Sequence, residues 1–186
     1  MDRVIQHDFL PAIVEDGLLH NRIIMLTEDI TDSSAKTVIA KLMYLDSKSD
    51  DPIKIYIASA GGAVNAGLSI IDAIEACQCK VDIYAIGDCA SMAFVILACA
   101  TGKRKIFKHA SLMYHELSST SFGKFTDLKV EFERAEYLQN ILWSLITEHT
   151  KITREMLDNN RSQDAWLTAE QAIELGVVDG IITRKD

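Results

Sequence analysis

Short apolar runs rich in β-branched residues alternate with helical hydrophobic patterns along the first half of the chain. Strand-like runs occupy 22–26, 53–58 and 81–86, and helical patterns occupy about 31–46 and 65–76. Parallel strands need a crossover between them, and that crossover is usually a helix. The alternation therefore predicts an α/β fold with a mostly parallel sheet.

A long helical pattern dominates the second half of the chain. Strand-like pieces at 103–107 and 111–115 precede it, and it runs over about 124–149 without proline or glycine. One face would carry Leu128, Phe132, Ala135, Leu142 and Ile146, and another would carry Val130, Tyr137 and Ile141. A helix that is apolar on two faces is either deeply buried in its own subunit or packed against a second one. The pattern alone leaves both possibilities open.

Threonines mark the starts of two later helices. Thr153 can cap a short helix over 154–159, and Thr168 with Gln171 forms a capping box for a helix over 169–175. A last strand-like run follows near the C-terminus. These elements continue the α/β pattern, so we expect one domain over 1–186.

The charge and composition of the chain exclude several classes of function. The 186 residues carry a formal net charge of −8, whereas nucleic acids and anionic membranes bind basic surfaces. The longest apolar run is too short to span a bilayer, and the N-terminus lacks the apolar core of a secretory signal. We therefore expect a cytoplasmic protein that binds neither nucleic acid nor membrane.

The cysteines are expected to be reduced core residues. Cys77, Cys79, Cys89 and Cys99 lie in apolar or helical sequence and lack the paired C-x-x-C spacing of a zinc site. Small reduced thiols of this kind suit a cytosolic compartment. The sequence predicts no metal site.

Ser91 opens an apolar run in the stretch GDCASMAFVILACATGKR. A strand followed by a tight turn at Gly87 and Asp88 would place its hydroxyl at a helix start, where unpaired N–H groups collect. The hydroxyl could be a helix cap, a core filler or a nucleophile, with the N–H of Met92 facing an oxyanion. The G-x-S-x-G pattern of hydrolases is absent, so the local sequence favours the cap.

A glycine pair follows the second strand-like run. Gly61 and Gly62 allow the backbone to approach another group closely or to take a positive φ. Such a segment could supply a second N–H donor beside Ser91. On its own the pair slightly favours an ordinary glycine turn, which is common after strands, and the spacing of a phosphate-binding loop is absent.

A nucleophilic serine needs a base, and His115 is the best placed candidate. It ends the strand-like run SLMYH, whereas the other histidines lie in terminal, turn or helix-end sequence: His7, His20, His109 and His149. An acid should orient the imidazole. Asp164 would sit on a turn before apolar Trp166, but Asp158 and Asp179 remain possible, because spacing does not choose among them.

Several linked stretches together resemble the ClpP family, the proteolytic subunit of ATP-dependent Clp proteases. They are IYIASAGGAVNAG, AIGDCASM, ATGKR, LMYH, EHT and DAWLTAEQAIELGVVDGI, within the span from Arg22 to Ile182. The resemblance implies that Ser91 is the nucleophile, His115 the base and Asp164 the orienting acid. It also implies that the N–H groups of Gly62 and Met92 form the oxyanion hole.

The resemblance implies an architecture and an activity as well. The fold would be crotonase-type, built of repeated ββα units, with 124–149 as a handle helix and 1–21 as a segment at the axial pore. The protein would be a serine endopeptidase that hydrolyses unfolded polypeptides inside two stacked heptameric rings, a homo-oligomeric tetradecamer. A hexameric AAA+ unfoldase would feed the chamber and use the ATP, and the peptidase itself would need no cofactor and no metal.

The chain departs from the family pattern near the implied site. The family's Ser-Pro-Gly-Gly is Ser59-Ala60-Gly61-Gly62 here, and the glycine that usually follows Ser-Met is absent after Met92. The usual Gln-Pro after the histidine is Glu116-Leu117. The acidic residue and arginine that precede the aspartate, which in the family make contacts between rings, are Ser162 and Gln163.

These departures motivate alternatives to an autonomous protease. The chain could be a weakly active or non-catalytic ring subunit of a mixed Clp assembly. It could also be a ClpP-like protease of phage head maturation, which shares the chemistry. An acyl-CoA enzyme of the crotonase superfamily would share the fold, but it has no use for the set Ser91, His115 and Asp164.

Overall fold

A computed structural model describes residues 5–183, with side chains from residue 13 onward. The helices are α1 Ile5–His20, α2 Asp32–Asp46, α3 Val64–Ala76, α4 Met92–Ala98, α5 Phe125–His149, α6 Arg154–Asn159 and α7 Ala169–Glu174. The strands are β1 Ile23–Leu26, β2 Ile53–Ser59, β3 Val81–Ala90, β4 Arg104–Ile106, β5 Ser111–Tyr114, β6 Ala165–Leu167 and β7 Gly180–Ile181. The predicted elements are all found, with ends that shift by a few residues.

The sheet is mostly parallel, as the strand–helix alternation predicts. Its order is β1-β2-β3-β4-β7, and all of these neighbours pair in parallel. The end of β3 pairs in parallel with β5, and β5 pairs antiparallel with β6. The predicted α/β fold class is therefore confirmed, and β6 adds an antiparallel edge.

The strand β3 changes partners along its length. Its first part pairs with β4, with Ile83 opposite Arg104, and its end pairs with β5, with Cys89 opposite Leu112. Gly87 lies between the two parts at φ 64°, a conformation that glycine adopts without steric cost. The prediction of a tight turn at Gly87 and Asp88 is therefore wrong, because the strand bends there and continues to Ala90.

The helix α4 is buried along its whole length. All seven of its residues are buried, and α3, β5 and α5 pack around it. On the neighbouring strand β2, alternate isoleucines at 53, 55 and 57 are fully buried. Burying one such side chain stabilises a fold by roughly 1.5–3 kcal/mol. The start of α4 is thus fixed by the core of the domain.

The long helix α5 is buried at one end and exposed at the other. Its C-terminal half places Leu142 and Ile146 in the core, whereas Phe132 and Val130 in the N-terminal half are 70% and 64% exposed. The predicted single stripe from Leu128 to Ile146 therefore divides in two. Burial within the subunit accounts only for the second half of the helix.

The N-terminal residues form a helix. The segment 1–21, expected to lie at an axial pore, is helical over Ile5–His20, and residues 1–4 lie outside the described part of the chain. The side chain of His7 also lies outside it. A role at a pore stays a prediction.

The four cysteines are free, as expected. Cys79, Cys89 and Cys99 are buried, and Cys77 is half-buried. Burial disfavours the thiolate: it raises the pKa of Cys77 to about 11 and that of Cys99 to about 12, and it raises the pKa of Cys89 further still. The folded protein therefore holds these groups as neutral thiols.

The raised pKa values of Cys77 and Cys99 predict a loss of stability at alkaline pH. The ordinary thiol pKa is 9.0, so the stabilisation is complete below about pH 9 and is lost as pH rises toward 11 and 12. Urea unfolding of the wild type and of a Cys77→Ala/Cys99→Ala variant should be compared at pH 8 and pH 10.5. The wild type should lose more free energy of unfolding between these pH values than the variant. Parallel losses would contradict the prediction.

Candidate active site

Ser91 connects the end of β3 to the start of α4 in a strained conformation. Its φ is 55° and its ψ is −122°, and positive φ is rare outside glycine. Such strain costs of order 1–3 kcal/mol and is kept at functional sites by the surrounding packing. The Ser91 N–H donates to the carbonyl oxygen of Met113, at 2.8 Å, which ties the turn to β5.

The Ser91 hydroxyl does not cap α4. Although Ser91 is the N-cap residue, its side chain makes no capping hydrogen bond. Its Oγ lies 2.8 Å from Nε2 of His115 instead. The helix-cap interpretation favoured by the local sequence is therefore wrong, because the turn directs the hydroxyl to a histidine.

His115 and Asp164 are brought together by the pairing of β5 with β6. In this antiparallel pair Tyr114 lies opposite Ala165, so the residues just beyond this pair, His115 after β5 and Asp164 before β6, come side by side. The distance from His115 Nδ1 to Asp164 Oδ1 is 3.3 Å. Strand register alone thus joins two residues that are far apart in the sequence.

The three side chains form a continuous line of polar contacts. A carboxylate at Nδ1 favours the tautomer in which Nδ1 carries the proton and Nε2 can accept one from Ser91 Oγ. The contact at Nδ1 is the weaker one, since 3.3 Å is long for a hydrogen bond and the Asp164 side chain is 55% exposed. The arrangement can activate a hydroxyl by general-base catalysis.

The other two candidate acids have different partners. Asp158 accepts hydrogen bonds from Arg161, the shorter at 2.7 Å, and Asp179 accepts from the Arg104 backbone and side chain at 2.7 and 2.9 Å. The geometry thus selects Asp164 among the three carboxylates that spacing left open.

The glycine pair lies directly against the serine turn. A Cβ on Gly61 would stand 2.7 Å from Ser91 Cβ, and Gly61 and Gly62 have φ values of 101° and 145°. Gly62 pairs with Ile30 in a short parallel bridge whose hydrogen bonds use Ile30, Gly61 O and Ala63 N. The Gly62 N–H takes no part in that bridge. The pair is therefore more than a turn, because it allows a close approach to Ser91.

A cavity of about 190 Å³ collects the predicted groups. Gly62, Met92, Ser91 and His115 all line it. Met92 is the first residue of α4, so its N–H has no acceptor within the helix. The remaining lining residues are mainly apolar: Val64, Val95, Tyr114, Leu117, Ser118, Leu142, Trp143 and Ile146.

The helix α5 contributes to this cavity, which the sequence does not indicate. Leu142, Trp143 and Ile146 form part of its wall. The side chain of Gln139, one turn earlier, accepts a hydrogen bond from the Leu117 N–H at 2.5 Å and so fixes the segment after His115. The helical pattern placed Leu142 and Ile146 on an apolar face, but it gave no sign that this face meets the site.

Among residues 13–183, whose side chains the structure describes, no group of three or more His, Cys, Asp or Glu side chains is arranged to hold a metal ion. None of the helices between residues 5 and 183 is long and apolar enough to cross a membrane.

Comparisons with known proteins agree with this fold. The Clp protease family model matches residues 11–185. The chain is 35% identical to the ATP-dependent Clp protease proteolytic subunit 2 of Rhodococcus jostii (strain RHA1), with 92% of this chain and 89% of that protein covered. It is 37% identical to the subunit 2 of Corynebacterium efficiens (90% and 85% covered) and 36% identical to that of Chlamydia pneumoniae (94% and 93% covered).

The chain belongs to the Clp protease family and is a peptidase subunit of that family. The resemblance seen in the linked sequence stretches is thereby confirmed, together with the ClpP-like fold. A crotonase-type acyl-CoA enzyme, one of the alternatives raised by the sequence, is not favoured by any of these matches.

Replacing Gly61 by alanine should disturb Ser91. The new Cβ would meet Ser91 Cβ at 2.7 Å and the Ala90 carbonyl oxygen at 2.8 Å, and the positive φ adds strain. We expect a loss of about 1–3 kcal/mol in the free energy of unfolding. The rate of Ser91 labelling by a fluorophosphonate should fall about 10²-fold.

The matched control for this change is Gly17→Ala in α1. A Cβ there meets no atom within 4 Å, so alanine should be neutral or stabilise by up to about 1 kcal/mol. Thermal unfolding and labelling are measured on both variants. Unchanged labelling of the Gly61→Ala protein would show that this close approach does not set the position of Ser91.

Proposed function

We propose that the chain is a serine endopeptidase subunit that uses Ser91, His115 and Asp164 as a catalytic triad. The observation that carries this proposal is the 2.8 Å contact between Ser91 Oγ and His115 Nε2, made by a serine held in a strained turn. A hydroxyl needs no such conformation to fill a core or to cap a helix. A sharp turn that presents a hydroxyl to a base is the arrangement of a nucleophile elbow.

The reaction would proceed through an acyl-enzyme. Ser91 Oγ attacks the scissile carbonyl carbon while His115 Nε2 takes the hydroxyl proton, and Asp164 stabilises the resulting imidazolium. The tetrahedral intermediate collapses when His115 gives that proton to the leaving amine. Water then attacks the ester by the same route, which releases the acid and restores the Ser91 hydroxyl.

The negative oxygen of the tetrahedral intermediate would be held by two backbone amides. Gly62 and Met92 line the same cavity as Ser91 and His115, and their N–H groups are outside the nearby bridge and helix hydrogen bonds. Loss of one such donor typically lowers the rate 10²–10³-fold. These steps use no metal and no organic cofactor.

The substrates would be unfolded polypeptides. The apolar part of the cavity, with Val95, Leu142 and Ile146, suits an apolar side chain next to the scissile carbonyl. As the resemblance to the ClpP family implies, a hexameric AAA+ unfoldase would deliver the chains and use the ATP. A cytoplasmic location is supported by the four free cysteines, because disulfides are rare in that compartment.

Substitution of Ser91 by alanine tests the proposed nucleophile. We expect the variant to lose fluorophosphonate labelling and to lose hydrolysis of short fluorogenic peptides by at least about 10³-fold, with its assembly state unchanged. Ser118→Ala is the matched control, since Ser118 also lines the cavity. It should retain both activities. Labelling that persists in the Ser91→Ala protein would remove Ser91 from the role.

We propose that subunits associate through the exposed half of α5, forming heptameric rings stacked as a homo-tetradecamer. Apolar side chains are concentrated there: Phe125, Val130, Phe132 and Tyr137 are all more than half exposed. Exposed apolar patches of this kind mark interaction surfaces. A second copy of the chain is the natural partner, because the chain belongs to the Clp protease family, whose members are expected to act as oligomers.

A charge at Phe132 should therefore weaken assembly. The side chain is 70% exposed in the single subunit, so Phe132→Asp should leave the subunit folded while burying a charge at the interface. Mass measurement in solution should show smaller assemblies than the wild type. Phe132→Leu keeps an apolar side chain and should retain the wild-type mass. Equal masses for the aspartate and leucine variants would exclude this half of α5 from the interface.

A second candidate function is a weakly active or non-catalytic subunit of a mixed Clp assembly. It is favoured by the exposure of Asp164 and by the long 3.3 Å contact to His115. Robust peptide hydrolysis by the isolated chain would exclude it.

A phage head maturation role would use the same residues, although the three relatives compared are all named as Clp subunits.

A further inference from the structure

Two arginines lie over one tryptophan beside the candidate site. The guanidinium carbons of Arg154 and Arg161 are 4.3 and 4.6 Å from the ring centroid of Trp143. Trp143 is buried in α5 and also lines the cavity that contains Ser91. Both contacts are within the range of cation–π attraction, which is strongest for tryptophan.

The two arginines differ in their other partners. Arg154, at the start of α6, bonds Asn140 on α5 and lies 3.6 Å from Asp158. Arg161 donates two hydrogen bonds to Asp158, at 3.0 and 2.7 Å, and these hold the pKa of the Asp158 carboxyl below its ordinary value. Arg161 also reaches Glu116, with 3.8 Å between Nη1 and Oε1.

This last contact joins the two segments that carry the base and its acid. Glu116 directly follows His115, and Arg161 lies three residues before Asp164. The residues between Arg161 and Asp164 are exposed, and the Asp164 side chain is itself 55% exposed. Strand pairing begins only at Ala165. A side-chain link just upstream would therefore restrict how far Asp164 can move from His115.

On the basis of the proposed function, we propose that Arg161 is a positioning residue: seated on Trp143 and Asp158, it binds Glu116 and so keeps Asp164 within reach of His115. Arg161 does not touch the reacting atoms. It acts by joining the segment after His115 to the segment before Asp164. The link lies within one chain. Alignment of Asp164 with His115 would therefore not depend on the arginine that the family has where this chain has Gln163.

Peptide hydrolysis by Arg161 variants tests the proposal. Arg161→Met should lower kcat about tenfold and leave KM unchanged, because it moves the orienting acid without altering the cavity. Arg161→Lys keeps the charge that pairs with Glu116 and should recover part of the lost kcat. Arg154→Met is the matched control: it removes the other guanidinium from Trp143 and should change kcat less than about twofold. Equal losses for both methionine variants would overturn the proposal, since packing on Trp143 would then explain them.

A double-mutant cycle tests the link to Glu116. Glu116→Gln should lower kcat by a factor similar to that of Arg161→Met, and the double variant should be no worse than either single variant. Multiplied losses in the double variant would mean that the two residues act separately, which would overturn the proposed link.

Hydrogen exchange gives a readout that does not require catalysis. Deuterium uptake of the segment 160–164 should be faster in Arg161→Met than in the wild type and unchanged in Arg154→Met. Equal uptake in the wild type and Arg161→Met would overturn the positioning role, whether or not the protein hydrolyses peptides. Absence of fluorophosphonate labelling in the wild type would instead remove the proposed function, so the two failures are distinguishable.

Discussion

The buried packing of α4 is the constraint on which the site depends. Every residue of this helix is buried, so its first turn cannot shift to relieve the positive φ of Ser91. The hydrogen bond from Ser91 N–H to Met113 fixes the same turn from the side of β5. A strained residue persists only where its surroundings over-determine it, and here the core provides that support. The glycine pair at 61–62 then allows a second chain segment to approach the turn without steric conflict.

The three candidate site residues differ in how firmly the sheet encloses them. Ser91 follows the internal strand β3, whose last two residues are buried. His115 follows the internal strand β5 with 28% of its side chain exposed, and Asp164 precedes the edge strand β6 with 55% of its side chain exposed. The contact lengths follow the same order, at 2.8 Å and then 3.3 Å. Of the three candidate residues, Asp164 is therefore the one that the sheet supports least. The helix α5 contacts the chain near both His115 and Asp164, because Gln139 binds the segment after His115 and Arg161 packs on Trp143.

Much of the fold followed from periodicity, because each strand and helix bears its pattern locally. The capping box of Thr168 and Gln171 is an example, since both of its hydrogen bonds form between residues three apart. The prediction of a turn at Gly87 and Asp88 was wrong because the conformation there is not set locally. Whether a glycine ends a strand or bends it depends on which strands pair with the chain before and after it. For Gly87 these strands are β4 and β5, which both come later in the sequence. The division of α5 into a buried and an exposed half was likewise invisible in its stripe of apolar residues.

The sequence by itself determined the α/β class, the positions of the strands and helices and, through the linked stretches, the family and the set of candidate residues. The tertiary structure decided which of those residues meet. It directed the Ser91 hydroxyl away from the helix cap and toward His115, and it chose Asp164 over Asp158 and Asp179. It also placed Trp143 and Arg161 beside the site. The physical reason is that helix and strand patterns are set by neighbours along the chain, whereas contacts between side chains depend on strand register and core packing.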